Sequence, residues 1–163
     1  MSDASDDTLS LALSHQGRGN FDVTVTLVET PEELEGARAV RRRVFVEEQG
    51  VPFEEEYDDY DAVCTHAVAI AGGAVIGTGR MFDQGSGEAR IGRMAVDAAY
   101  RHRGVGRLVL QTLEAEARRQ GLLRSVLHAQ TYVQDFYLHL GYAPEGPLFM
   151  EAGIEHVTMC KEL

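Results

Sequence analysis

Tryptophan is absent from this sequence of 163 residues, and of its fifteen lysines and arginines only Lys161 is a lysine. Cysteine is scarce as well. Cys64 and Cys160 stand far apart and neither belongs to a CxxC pair, which argues against a disulfide framework or a zinc knuckle and fits a reducing, cytoplasmic setting. The histidines are dispersed, with no HExxH and no Cys/His cluster, so no metal is expected. Long apolar runs are missing too: none approaches the roughly 20 residues of a membrane helix, and no membrane partner is expected. The opening residues carry Asp3, Asp6 and Asp7 where an export signal needs positive charge, and their one apolar piece is Leu9 to Leu13. Nor is there basic excess. A formal net charge of -11 argues against nucleic acid as the main partner, because phosphate backbones are gripped by clustered Lys and Arg. Arginine with abundant Asp and Glu suits a salt-loving or high-GC source, as it suits an ordinary acidic protein.

What is present is enough for one compact α/β domain and too little for two cores, at 44% hydrophobic content. Residues 1–20, rich in Ser, Asp and Gly, read as a mobile polar tail, and residues 21–163 read as the domain. From Phe21 to Val28 apolar and polar residues alternate, the period of a half-buried strand. Thr30-Pro31-Glu32-Glu33 opens a helix, with Thr30 as cap and Glu33 reaching back to the Thr30 amide. That helix runs to about Glu48. An acidic loop from Glu54 to Asp61 precedes three strands, about His66–Ile70, Ala74–Met81 and Ala89–Val96, the first two joined at Gly72-Gly73. Gly104–Gln120 has amphipathic helical spacing. Ser125–Ala129 reads as a strand, Thr131–Gln134 as a second capping box leading a short helix, and Ile154–Lys161 as a last strand.

The segment from Ile91 to Arg107 runs from a strand through a glycine-containing loop into a helix. Unpaired amides at a helix start, the helix dipole and glycines that let the main chain approach a ligand together suit an anion. Arg101, Arg103 and Arg107 add positive charge to an acidic chain.

Arg101-x-x-Gly104-x-Gly106 resembles the Gln/Arg-x-x-Gly-x-Gly/Ala signature of the GNAT superfamily of N-acetyltransferases. Phe136-Tyr137-Leu-His-Leu-Gly141-Tyr142 resembles the family's second landmark, an aromatic-Tyr helix end closed by glycine. The element order from Phe21 to Leu163 follows the same plan. Arg43 to Pro52, Ile91 to Val96, His128-Ala-Gln130 and Gly153 to Met159 look like the ElaA/YjcF-like subgroup. The resemblance implies an α/β (α+β) fold with a central mixed, mostly antiparallel sheet, its central strands splayed and flanked by helices. It also implies acetyl transfer from acetyl-CoA to an amine of a small molecule or peptide, by direct attack in a ternary complex. A homodimer is one arrangement the family implies.

By that resemblance the backbone of Met94, Ala95 and Val96 holds the pantetheine arm and thioester carbonyl. Arg101, His102, Arg103, Gly104, Val105, Gly106 and Arg107 take the pyrophosphate, and Gln130 stands where relatives carry a cofactor-contacting Asn. Tyr137 takes the place of the general acid that protonates the departing thiolate, a task its phenol suits at neutral pH; it also lies on an apolar face with Val133, Phe136 and Leu140, where packing is the competing role. Many relatives carry a carboxylate base on the strand before the phosphate loop. This chain has Arg93 there, which is no base, so the candidates are Glu48, His66, His128, Glu151 and His156. His128 is placed first, for its near-neutral pKa and its strand beside the cleft, with a hydrogen-bonded structural histidine as the competing role. Arg80 and Arg93 either recognise an anionic acceptor group or pair with Glu48, Asp58 or Asp61. Glu48, Gln49 and His156 complete the acceptor side, where the acidic segment either attracts a cationic amine or is merely solvated. Two other readings stay open: a coenzyme A-binding sensor without turnover, suggested by Arg93, and an acyl-homoserine-lactone synthase-like enzyme, suggested by Arg43-Val-Phe45 but lacking that group's tryptophan.

Overall fold

Alternation from Phe21 onward puts Phe21, Val23 and Val25 on one buried face. The computed structural model describes residues 13–17, as backbone, and 21–163. Strand β1 (Leu13–Gly17) pairs antiparallel with β2 (Phe21–Leu27). The rest of the segment read as a tail, residues 1–12 and 18–20, lies outside the described residues.

Helix α1 (Pro31–Arg41) starts as its sequence dictates, with Thr30 accepting from the Glu33 amide at 3.2 Å. The return bond differs from expectation: Glu33 Oε2 reaches the amide of Glu29, at 3.3 Å, not that of Thr30. Past Arg41 the helix widens into a π turn, Arg42–Glu48, in which the Gln49 amide bonds to Val44 O at 3.1 Å. Such insertions re-aim the residues that follow and recur at functional sites. Here they deliver Glu48 and Gln49. The segment read as an acidic loop is structured, with α2 (Phe53–Glu56) and a 3₁₀ turn at Asp59–Ala62.

Strands β3 (Thr65–Ala71) and β4 (Ala74–Gly85) meet at Gly72-Gly73, where both residues have positive φ (56° and 79°), as a tight two-residue hairpin requires. Then come β5 (Glu88–Val96), α3 (Val105–Arg119), β6 (Arg124–Gln130), α4 (Gln134–His139), β7 (Ala143–Glu151) and β8 (Ile154–Glu162). Two expectations need correcting. Thr131 does not cap α4, because its hydroxyl bonds to Glu155 Oε1 at 3.1 Å and the chain enters α4 through a 3₁₀ turn at Thr131–Val133. And β7, which sequence reading left unmarked, is an outer strand: Pro144, Gly146 and Pro147 break its alternation, and an edge tolerates them.

Among the described residues the sheet has eight strands in the order β1-β2-β3-β4-β5-β6-β8-β7. Every neighbouring pair is antiparallel except β5 and β6. Their parallel ladder runs only from Glu88↔Arg124 to Ile91↔Leu127. Beyond it β5 continues to Val96 and β6 to Gln130 without pairing to each other, so a wedge opens in the middle of the sheet. One face is covered by α3, whose Val105, Val109, Leu110, Leu113 and Ala117 are fully buried with Ile91, Leu127, Ala129 and Met159. The other face carries α1 and its π turn, with Val40 and Val44 against Ala95. Each of these valine, leucine, isoleucine and methionine side chains contributes about 1.5–3 kcal/mol by leaving water, and with the alanines they hold both rims of the wedge.

Candidate active site

Where β5 leaves the ladder, its chain also bulges. Thr78 pairs with Ala95 but Arg80 pairs with Gly92, so Arg93 and Met94 share one position opposite Gly79, and Arg93 sits at φ 52°. A bulge twists a strand and redirects its side chains. Met94 and Val96 pack with the α3 core, Ala95 faces α1, and Arg93 reaches the other way, to the carbonyls of Glu55 and Glu56. The expected pantetheine strand, Met94 to Val96, thus forms one rim of the wedge, with its β6 side free of a ladder partner.

Val96 leads through a 3₁₀ turn at Ala98–Tyr100 into Arg101–Gly104 and the first turn of α3. Gly104 has φ 82° at the helix N-cap and no side chain caps the turn, so the amides of Val105, Gly106 and Arg107 point outward unclaimed by the helix. A Cβ on Gly106 would stand 3.3 Å from Phe136 Cζ; glycine is what lets α4 approach this turn. His102, at φ 63°, and Arg107 are exposed; Arg103 is exposed and its guanidinium lies over Phe21, 5.1 Å from the ring centre. Arg101 is engaged differently. It binds Glu48 through two bonds, at 2.5 and 2.6 Å, and Val96 O at 3.0 Å. The bonds from Arg101 hold the Glu48 carboxyl below its ordinary pKa.

Tyr137 lies on the α3 side of the sheet, buried, edge-on to Phe136 at 5.0 Å and to Tyr142 at 5.8 Å. Burial pushes its phenol well above the ordinary tyrosine value. Its hydroxyl forms no hydrogen bond with any described residue, whereas the Tyr142 hydroxyl bonds to Ser125 at 2.7 Å and to Glu114 at 3.2 Å.

His128 and Gln130 project from the opposite face of β6, since their neighbours Leu127 and Ala129 fill the α3 core. Gln130 and Gln49 exchange amide bonds at 2.9 and 3.3 Å, and Gln49 also donates to the Tyr132 hydroxyl at 2.9 Å. His128 Nδ1 lies 2.7 Å from an Arg90 nitrogen and 3.3 Å from Glu151 Oε1. Burial, then the Arg90 charge, lower its pKa. His156, opposite Gln130 in the ladder, places Nδ1 2.7 Å from Ile154 O and Nε2 3.6 Å from Glu151 Oε2. Phe149 meets both rings, edge-on to His128 and stacked on His156. The remaining base candidate, His66, is buried beneath the 3₁₀ turn with Nε2 bonded to Asp61 O at 2.9 Å, away from this group.

The arginines expected at the acceptor side are otherwise occupied. Arg80 binds Asp58 twice, at 2.6 Å, and Asp61 at 2.8 Å. Arg93 spans the Glu55 and Glu56 carbonyls and Asp58. Between them lies Arg41, 1% exposed, with Glu56 at 2.5 Å and Asp61 at 2.8 Å. The acidic segment is divided: Glu54, Glu55 and Asp59 are exposed, whereas Glu56 and Asp61 are buried inside an arginine lattice that fastens α2 and the 3₁₀ turn to the sheet. Sequence reading missed Arg41, hidden among the arginines of α1, and Arg90, whose place beside His128 shows only once β5 and β6 are set in register.

A family model described as an acetyltransferase (GNAT) domain matches residues 29–163. The chain belongs to the GNAT acetyltransferase family. Among its GNAT relatives it is 35% identical to the uncharacterised N-acetyltransferase YjcF of Bacillus subtilis over 137 residues, covering 83% of this chain and 97% of that one. The solved structure of Escherichia coli ElaA shares the GNAT fold at a TM-score of 0.75 and 25% identity, with 86% of this chain and 98% of ElaA covered. An aminoglycoside 6'-N-acetyltransferase solved with coenzyme A shares the fold at a TM-score of 0.66 and 15% identity, with 85% and 96% covered. Among the described residues of this GNAT domain no helix is long and apolar enough to cross a membrane and no group of His, Cys, Asp and Glu is placed to hold a metal ion.

Proposed function

We propose that this GNAT domain binds acetyl-CoA in the wedge between β5 and β6 and passes the acetyl group to an amine by direct attack. The observation that carries this reading is the end of the β5–β6 ladder at Ile91↔Leu127, which leaves the backbone of Met94, Ala95 and Val96 without strand partners on that side. Pantetheine has amides able to continue such an edge. A main-chain amide there would hold the thioester oxygen as it gains charge. The turn from Arg101 to Arg107 lies at the outer end of the same strand, where the open amides of α3 suit the pyrophosphate. Tyr137, on the α3 side with its hydroxyl unengaged by described residues, is the group that returns a proton to the coenzyme A thiolate.

The sheet separates the two halves of the reaction. Donor groups gather on the α3 side, and the acceptor is to be sought on the α1 side, among Gln49, Gln130, Arg90, His128, Glu151 and His156. Thermal unfolding with acetyl-CoA, with ATP and NAD as anion controls, tests the donor. A ligand at one hundred times its dissociation constant stabilises the folded state by about 2.7 kcal/mol. A rise specific to acetyl-CoA is expected; no rise removes the transferase reading and leaves the fold. Coenzyme A thiol release in a screen of amines then separates an enzyme from a domain that only binds.

A further inference from the structure

The acceptor side holds two histidines in one cluster, and their surroundings differ. His128 Nδ1 stands 2.7 Å from an Arg90 nitrogen. The same Nδ1 stands 3.3 Å from Glu151 Oε1, which only accepts, but the Arg90 contact is the closer. A guanidinium is a donor only and stays charged, so in a neutral His128 the closer contact favours Nδ1 as acceptor and the proton on Nε2. The imidazole therefore offers a donor to the cleft. His156 has the converse arrangement. Its Nδ1 is 2.7 Å from Ile154 O, a carbonyl that only accepts, so Nδ1 holds the proton and Nε2 is left as the lone-pair nitrogen. Glu151 Oε2 stands 3.6 Å from that nitrogen, and Phe149 stacks on the ring with centroids 5.9 Å apart.

Resting on the acetyl-transfer reading above, we propose that His156 is the general base for the acceptor amine and that His128 is a hydrogen-bond donor to the acceptor. The backbone fixes the His156 tautomer: Ile154 opens β8, with His156 two residues further along the same strand, and Ile154 pairs with Glu151, the last residue of β7. The groups facing His156 are Glu151 from β7 and Gln130 from β6, with His128 and Arg90 beyond Glu151.

The amine nitrogen attacks the thioester carbonyl carbon; a C–N bond forms, and the nitrogen's proton passes to His156 Nε2. The tetrahedral intermediate collapses with loss of the C–S bond, and the thiolate takes the Tyr137 hydroxyl proton. His156 then releases its proton and Tyr137 regains one, giving an amide and free coenzyme A.

Two measurements on the full chain decide the matter. In imidazole ¹⁵N spectra of the unliganded protein, above the histidine titrations, His156 is expected as the Nδ1–H tautomer and His128 as Nε2–H. Either ring in the opposite tautomer overturns the assignment. The second uses slow hydrolysis of acetyl-CoA, followed by thiol release, with water as the acceptor. His156→Gln is expected to lower kcat by about a hundredfold or more, abolish the acidic limb of the pH–rate profile and leave KM for acetyl-CoA within about twofold. His128→Gln is expected to retain that limb. A limb that survives His156→Gln, or disappears with His128→Gln, overturns it equally. Absence of acetyl-CoA binding by thermal shift would remove the transferase reading instead, whatever the tautomers prove to be.

Discussion

Glu48 and Arg101 meet through two charge-assisted bonds, of 2.5 and 2.6 Å, that join the end of the π turn to the loop before α3. Arg101 cannot keep both of these bonds and also turn its guanidinium fork to a pyrophosphate. Under the proposed acetyl-CoA reading, Glu48 therefore competes for the arginine that would meet the pyrophosphate. The pair is partly exposed, with side chains at 34% and 45%, which limits it to about 0.2–1 kcal/mol.

Glu48→Gln should accordingly tighten acetyl-CoA binding, by about two- to fivefold at low salt, as read by calorimetric titration, because the amide releases Arg101 more readily. Arg101→Ala should weaken it, and raised salt should narrow both differences. Weaker binding by Glu48→Gln would mean that Glu48 supports the arginine in its working posture.

The loop itself gives a second pair of outcomes. Gly104 has φ 82° with open space around it, so Gly104→Ala is a matter of backbone conformation and should cost about 1 kcal/mol in urea unfolding. Gly106 is limited by Phe136, 3.3 Å from where a Cβ would be. Gly106→Val should push α4 from the α3 N-terminus and weaken acetyl-CoA binding by about tenfold or more. Equal affinity in that variant would place the phosphates elsewhere.

The longer helices α1 and α3, the inner strands and the glycine-containing turn before α3 were legible in the sequence because their patterns are local: alternation at Phe21–Val25, amphipathic spacing in α3, a capping threonine at Thr30; the short helix α2 was not. Tyr137, Gly104 and Gly106 are marked as candidates by motif alone. What could not be read depends on register. Whether Arg80 and Arg93 meet a substrate or Asp58 is settled by how α2 folds over the sheet, and the closeness of Arg90 to His128 by pairing between residues far apart in the chain. The Thr131 pattern failed for a related reason, since Glu155, distant in sequence, claims the hydroxyl first. The strand β7 escaped because an edge relaxes the alternation by which a strand is recognised.

The arginine lattice sets the response to acid. Burial pushes the Asp61 carboxyl up, but hydrogen bonds from Arg41 and Arg80 outweigh it and hold the pKa below the ordinary value of 3.8; Asp58 behaves likewise through Arg80. A carboxyl depressed in the folded state adds stability that is present above its unfolded pKa and is lost as pH falls through the folded one. Unfolding should thus steepen below about pH 4. Asp61→Asn should flatten that slope in acid titrations followed by circular dichroism. It should also cost about 3–5 kcal/mol at neutral pH, since it leaves buried arginines short of charge. A slope unchanged by the substitution would assign acid sensitivity to other carboxyls.

Tyr137→Phe separates packing from chemistry, because the two roles make opposite demands on the hydroxyl. The ring packs edge-on between Phe136 and Tyr142, contacts that phenylalanine keeps. The hydroxyl bonds to no described residue, so its removal should alter stability by no more than about 0.5 kcal/mol. If the phenol protonates the coenzyme A thiolate, kcat should fall by about a hundredfold or more with KM for acetyl-CoA nearly unchanged. Burial raises the phenol's pKa, so the acid form persists through the alkaline range, and the wild-type pH–rate profile should show no loss from this group below about pH 10. A variant with full turnover and full stability would assign the position to packing alone. One that unfolds early would show that the hydroxyl supports the core, and the proton to the thiolate would then have to come from water or from another residue at the wedge.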